Sequence, residues 1–260
     1  MSLIAAISCI FGINFNYVYK APINGHSYFF TNNKDIRPHL TEMGWIYMYV
    51  NVPLCDVLQS SLQSKYVKFL QFLEKKEYKH VFQPYEYLFY ADHKRQIKAK
   101  HIDEYITLQK QTHKSITICF HERDHRTLKD EIIDSLSQKR YSKNMKPTLE
   151  LVETRHTPLD TSICNTGIIL YHATEKYSYH KLLQSVYQSC MDLSQPQCQI
   201  MWSIYSHDYQ DMIQSIPFHH IKVHWREPCS PFVETIINTV LDNYLIILIF
   251  ILLLVYLFTI

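Results

Sequence analysis

The chain has 260 residues, of which 19% are charged, and its formal net charge is +2. This near-neutral balance, with no basic stripe and no long run of one charge, gives no support to nucleic-acid binding. The hydrophobic content of 47% fits a globular body plus a membrane segment, and roughly 230 residues outside the C-terminal apolar run suffice for one large domain with a core.

In chain order, the apolar run LIAAISCIF predicts a strand over 3–11, ending near Gly12. It imitates the core of a signal peptide but has no basic segment before it, so a retained strand is the expectation. A cleaved signal would instead place the body in a lumen. Next come a strand (27–31), a short polar helix (33–42), a strand (45–52) and a helix (56–76) with Leu62, Tyr66, Phe69 and Leu73 near helical spacing. A strand (86–90), a helix (100–112), a strand (115–120) and a helix (125–143) follow. The series ends with a strand (167–172), a helix (178–191), a strand or helix (197–205) and a strand (219–225). Strands alternating with helices imply an α/β sheet flanked by helices. The short apolar strands EYLFY and SITICF suggest a sheet covered on both faces.

Tyr244–Ile260 is apolar or aromatic except for Thr259. At about 1.5 Å per helical residue it reaches about 26 Å, close to the hydrocarbon thickness of a bilayer. Backbone groups in lipid must be paired internally, so the run should be a transmembrane helix. The expected organisation is a body over 1–228, a linker over 229–242 and a tail anchor over 243–260, single-pass. The seven Cys are odd in number and lack zinc-finger spacing, which favours free thiols and a body facing the cytoplasm. A disulfide-bearing lumenal domain is the alternative. Low Gly with abundant Lys, Ile and Tyr suggests an AT-rich genome such as that of a large DNA virus, and with it a virion or host internal membrane.

The most pointed local feature is YLFYADHKR (87–95), where a strand runs directly into Asp92. Ligands of open α/β sheets bind beyond the carboxyl ends of strands, and a carboxylate there suits a divalent metal bridging phosphates. The competing reading is an exposed turn. HERDHR (121–126) has His121 and His125 at a metal-compatible spacing, although solvated charges at a helix start explain it as well. Asn165 and Thr166 precede Gly167 and a strand, so they can present backbone N–H groups to a substrate or form a plain turn. Gln199 in QPQCQIMW is a candidate hydroxyl reader, or a buried amide satisfying backbone. On a strand through FHHIKVHW, His220 and His224 share a face, which makes His224 a candidate metal ligand.

Taken together, IAAISCIFG with Tyr17 to Pro22, FTNN (30–33), Gly44-Trp45, KYVKFL (65–70), YAD (90–92), His121 with Arg123 or Arg126 and Glu131, NTGIILYH and Cys198-Gln199 resemble one family over residues 3–220. It is the glycosyltransferase-like family of plant mucilage-related and turgor-regulation proteins, whose members look like GT-A nucleotide-sugar transferases. The resemblance implies a GT-A-like mixed sheet and a nucleotide-diphosphate sugar as donor, with Mn2+ or Mg2+ as the metal if one is used. It also implies an acceptor glycan, protein or lipid. Asp92, His121 and Gln199 become the catalytic candidates. Lys68, Asn32, Arg123, Arg126 and Asn165 become donor-binding candidates, and Asp92 and His224 metal candidates.

Three departures weaken the activity this implies. Asn32 stands where the family pattern has Asp, Cys198 stands where it has the Asp before Gln199, and Asp92 has no second Asp beside it to complete a metal clamp. A catalytically degenerate binding or scaffold protein is therefore the rival expectation. Lipid hydrolysis, attached to this family as ceramidase activity, is a third, and no zinc or serine-triad constellation accompanies it.

Overall fold

A computed structural model of the chain describes residues 3–13, 18–121 and 126–217. Among them lies a seven-stranded sheet built from β1 (Ile4–Cys9), β2 (Ser27–Thr31), β3 (Ile46–Tyr49), β4 (Tyr87–Ala91), β5 (Ile116–Phe120), β6 (Cys164–His172) and β7 (Ile213–Ile216). The order is β3-β2-β1-β4-β6-β5-β7. β1 pairs in parallel with both β2 and β4, while β6 runs antiparallel to β4 and β5. The sheet is thus mixed, as expected. The chain steps outward from β1 through β2 to β3, then crosses to β4 on the other side of β1. That reversal leaves a crevice beyond the carboxyl ends of β1 and β4, where ligands of such sheets bind.

The helices are α1 (Arg37–Glu42), α2 (Val57–Lys68), α3 (Lys76–Phe82), α4 (Ala99–Thr112), α5 (Leu128–Leu136), α6 (Lys139–Ser142), α7 (Met145–Thr154), α8 (Lys176–Asp192) and α9 (Cys198–Ser206). Successive strand residues point to opposite faces. Ile7, Tyr90, Ile169 and Tyr171 face one layer with Leu62 of α2, Val186 of α8 and Trp202 of α9. Ala6, Phe89 and Leu170 face the other with Ile102, Tyr105 and Ile106 of α4. Leu40 of α1 packs with Phe29 and Trp45 on a third, smaller cluster. Both faces are covered, which is why the strands read as continuous apolar runs.

Several element boundaries are corrected. The helix expected over 56–76 stops at Lys68, because Leu70 takes a left-handed backbone (φ 55°). A 3-10 turn over Gln71–Glu74 and then α3 follow. The break turns Phe69, Leu70 and Phe72 into the core together, which offsets a left-handed residue's cost of roughly 1–2 kcal/mol. The helix expected over 125–143 is split into α5 and α6 after Leu136. The strand expected over 45–52 is confined to β3, and the polar helix of 33–42 to α1. The strand expected to begin at Gly167 begins at Cys164, so Gly167 lies inside β6 rather than in a turn. The ambiguous 197–205 segment is helical. α7 and β7 were not anticipated. The strand expected over 219–225 and the apolar run 243–260 lie outside the described residues, and among those no helix is long and apolar enough to cross a membrane.

Candidate functional site

A cleft of about 1300 Å³ opens at the reversal point between β1 and β4. Its walls are the β1 exit (Cys9 to Ile13), the α2 face carrying Lys65 and Lys68, the β4 exit (Asp92 to Arg95), the start of β6 and the start of α9. The volume exceeds the roughly 300–1,000 Å³ of an ordinary small-molecule pocket and leaves room for an extended ligand.

The start of β6 is shaped by a bulge. Ile118 of β5 opposes Ile169, but the next residue, Cys119, opposes Asn165. The intervening Thr166 to Ile168 therefore escape pairing with β5, and the cleft receives Asn165, Thr166 and Gly167. Bulges next to functional sites re-aim side chains in this way. Asn165 Oδ1 accepts the Gly167 N–H at 2.9 Å, and the Asp92 N–H donates to the Gly167 carbonyl at 2.8 Å. Gly167 is required by close approach, not by backbone angle. A Cβ there would stand 2.9 Å from Asp92 Oδ2.

Asp92 is the hub. Lys68 Nζ lies 3.0 Å from its Oδ1, and the Tyr90 hydroxyl donates to the same oxygen at 2.7 Å. The Asp92 side chain keeps 39% of its surface open, while that of Lys68 keeps 5%. Burial alone would raise the Asp92 pKa; the Lys68 ammonium and the Tyr90 hydroxyl outweigh it and hold the carboxyl below its usual range. Burial would likewise depress Lys68, and Asp92 more than reverses it. His93 is half-buried among protein atoms at the β4 exit. That loss of hydration takes its pKa down to about 4, so the imidazole is neutral at pH 7.

Cys198, at the start of α9, is buried with its sulfur 3.2 Å from Thr166 Oγ1 and 3.9 Å from Lys68 Nζ. Burial would raise its pKa, yet Lys65 and Lys68 draw the thiol below its usual value. Gln199 follows it into the cleft wall, half-buried. Gln195 is the amide spent on backbone, donating to the Tyr141 carbonyl at 3.1 Å.

The structure therefore brings Asp92, Lys68, His121, Arg126, Asn165 and Gln199 to one cleft. Arg126 is committed within it: its guanidinium donates to Glu131 Oε2 and Asp134 Oδ2, each at 2.6 Å. Glu131 also accepts from Gln197. Asn32 does not line the cleft. Its Oδ1 accepts the Gly12 N–H at 2.9 Å and its Nδ2 donates to the Pro53 carbonyl at 2.7 Å, so it ties the β1 exit to the segment before α2. Arg123 and His224 lie outside the described residues.

Sequence reasoning assigned no role in the site to Tyr90 or Lys65, and gave Thr166 only the part of a turn residue beside Asn165. Lys65 was legible only as the basic residue that opens KYVKFL. Metal binding at Asp92 finds little support in the donor set. One Asp92 oxygen already serves an ammonium and a phenol, and Glu131 and Asp134 serve Arg126. Among the described residues no group of three or more His, Cys, Asp or Glu side chains is placed to hold an ion.

No protein-family model matches the chain, and no curated protein matches it. Among solved structures it is similar to mouse xyloside xylosyltransferase 1 in its apo form, with 10% identity over 82% of this chain and 84% of that one and a TM-score of 0.45. It is also similar to a CMP:2-keto-3-deoxy-manno-octonic acid synthetase complexed with CTP, with 8% identity over 94% of this chain and 100% of that one and a TM-score of 0.44. A third is the apo structure of WbbM, a bifunctional glycosyltransferase, with 8% identity, 83% of this chain covered and a TM-score of 0.47. The match spans 39% of the WbbM chain.

Proposed function

We propose that the protein is glycosyltransferase-like and holds a nucleotide-diphosphate sugar in the cleft between the β1 and β4 exits. The observation that carries this reading is convergence. Residues far apart in sequence, Lys68, Asp92, Asn165 and Gln199, line one cleft at the reversal point of the sheet. Among the described residues that line it, six Lys and Arg face four Asp and Glu, a balance that favours an anionic ligand. In transfer, an acceptor oxygen bonds to the anomeric carbon as the bond from that carbon to the diphosphate oxygen breaks. The electron pair leaves on the diphosphate, and the acceptor proton passes to a base in the cleft. Asp92 and His121 are the candidates for that base or for holding sugar hydroxyls. Gln199 and Asn165 would face donor or acceptor hydroxyls, and Arg123 is assigned to the diphosphate.

The apolar run Tyr244–Ile260 supports attachment of this body to a membrane, and the spread of free thiols over the described residues favours the cytoplasmic side. Deleting 243–260 should release a folded body. If the truncated protein still pellets with salt-washed membranes, the single anchor is wrong.

Incubation with a panel of nucleotide sugars, followed by measurement of nucleotide-diphosphate release, tests the activity. Release from one donor, abolished by Asp92→Ala, is the expected result. One observation favours the runner-up, a binding or scaffold protein on a membrane: the Asp92 carboxylate is already paired with the Lys68 ammonium and accepts a hydrogen bond from Tyr90. Binding of a nucleotide sugar without turnover of any donor in the panel would favour that reading, and no binding would exclude the transferase.

A further inference from the structure

Building on the reading of the cleft as a nucleotide-diphosphate site, we propose that Lys65 and Lys68 form a diphosphate subsite that works without a divalent metal. The two lysines stand one turn apart on α2, so their side chains share a face, and both line the cleft. Their charge states are not balanced alike. Lys68 has its carboxylate, Asp92, at 3.0 Å. Lys65 is 5% exposed, and among the described residues no carboxylate stands within ion-pair distance of it.

Two ammoniums largely removed from water, Lys65 and Lys68, thus share the field of one carboxylate, Asp92, and of the Cys198 thiol, an arrangement unfavourable without further negative charge. An occupant carrying negative charge on several oxygens supplies what is missing. Each ammonium offers three donors, enough to hold oxygens of two adjacent phosphates. A divalent ion fits the same corner poorly. Hard cations take six or more oxygen ligands, and here the partly buried Asp92 carboxylate already carries an ammonium. The lysine pair thus replaces the metal as the positive charge facing a departing diphosphate.

The test is calorimetric titration of UDP and of inorganic pyrophosphate into the full-length protein in detergent, in EDTA and again in Mn2+. The expected result is binding of both ligands in EDTA, with affinities within about twofold of those in Mn2+. Lys65→Met, which removes a charge that has no carboxylate in contact among the described residues, should weaken both ligands at least tenfold. Lys65→Arg should retain most of the affinity, which separates loss of charge from loss of fold. Binding that appears only with Mn2+, or that survives Lys65→Met unchanged, overturns the subsite while leaving the functional reading in place. Pyrophosphate binding in EDTA without any UDP binding sustains the subsite and counts against the nucleotide reading. Binding of neither ligand overturns both.

Discussion

Asn32 has a structural role that an Asp at the same position could not fill. Its amide accepts from Gly12 and donates to Pro53, and a carboxylate could do only the first. Asn32→Asp would therefore set a negative oxygen against the Pro53 carbonyl in a buried site. The expected cost is about 1–3 kcal/mol of stability, read as a lower urea midpoint with an unchanged slope. An unchanged midpoint would show that Asn32 is not the brace described. Gly167 makes the complementary case. An added methyl would meet Asp92 Oδ2 at 2.9 Å, and Asp92 has little freedom to retreat because Lys68 and Tyr90 hold its other oxygen. Gly167→Ala should weaken UDP binding about tenfold, equivalent to about 1.4 kcal/mol, with an overpacking cost of about 1–3 kcal/mol in stability. Full affinity in this variant would mean that the ligand does not use the Asp92 corner.

At the scale of elements, the sequence was most readable where burial on both faces wrote long apolar runs. β1, β2, β4 and β5 are of this kind, whereas α4 and α8 each bury one face and leave the other polar. It was least readable where the backbone departs from regularity without a glycine to mark the place. Leu70 adopts a left-handed conformation with a bulky side chain, so nothing in KFLQFLE signalled the end of α2. α7 carries Pro147 in its first turn, a tolerated position that disguises the helix as a loop. β7 has four residues and is followed by Pro217, too little for a period-two pattern. The bulge in β6 left no sequence trace, because it depends on register with β5. For this reason Asn165, Thr166 and Gln199 could be named as candidates and Lys65 quoted in a motif, while the contacts of Thr166 with Cys198 and the place of Lys65 in the cleft could not be read. Their roles come from tertiary proximity that sequence spacing does not encode.

For the whole molecule, the cleft couples stability to pH. His93 is neutral in the folded state, with its pKa lowered to about 4 by burial; unfolded, it should titrate near 6.5. Between those values the unfolded chain binds a proton that the folded chain does not, so stability falls as pH drops from about 6.5 to about 4. The depressed Asp92 acts lower down. Its contribution is present above the ordinary Asp value of about 3.9 and is lost as pH falls through its folded value. His93→Gln should therefore show a shallower decline in urea midpoint between pH 7 and 4.5 than the native protein. Equal declines would remove His93 from the account.

Soaking crystals of the protein with UDP, with and without Mn2+, tests the central claim most directly. The account predicts diphosphate density in the cleft at the β1 and β4 exits, within hydrogen-bonding distance of Lys65 and beside the intact Lys68–Asp92 pair, in both soaks. UDP bound elsewhere on the molecule, or a cleft that stays empty at saturating nucleotide, would contradict it.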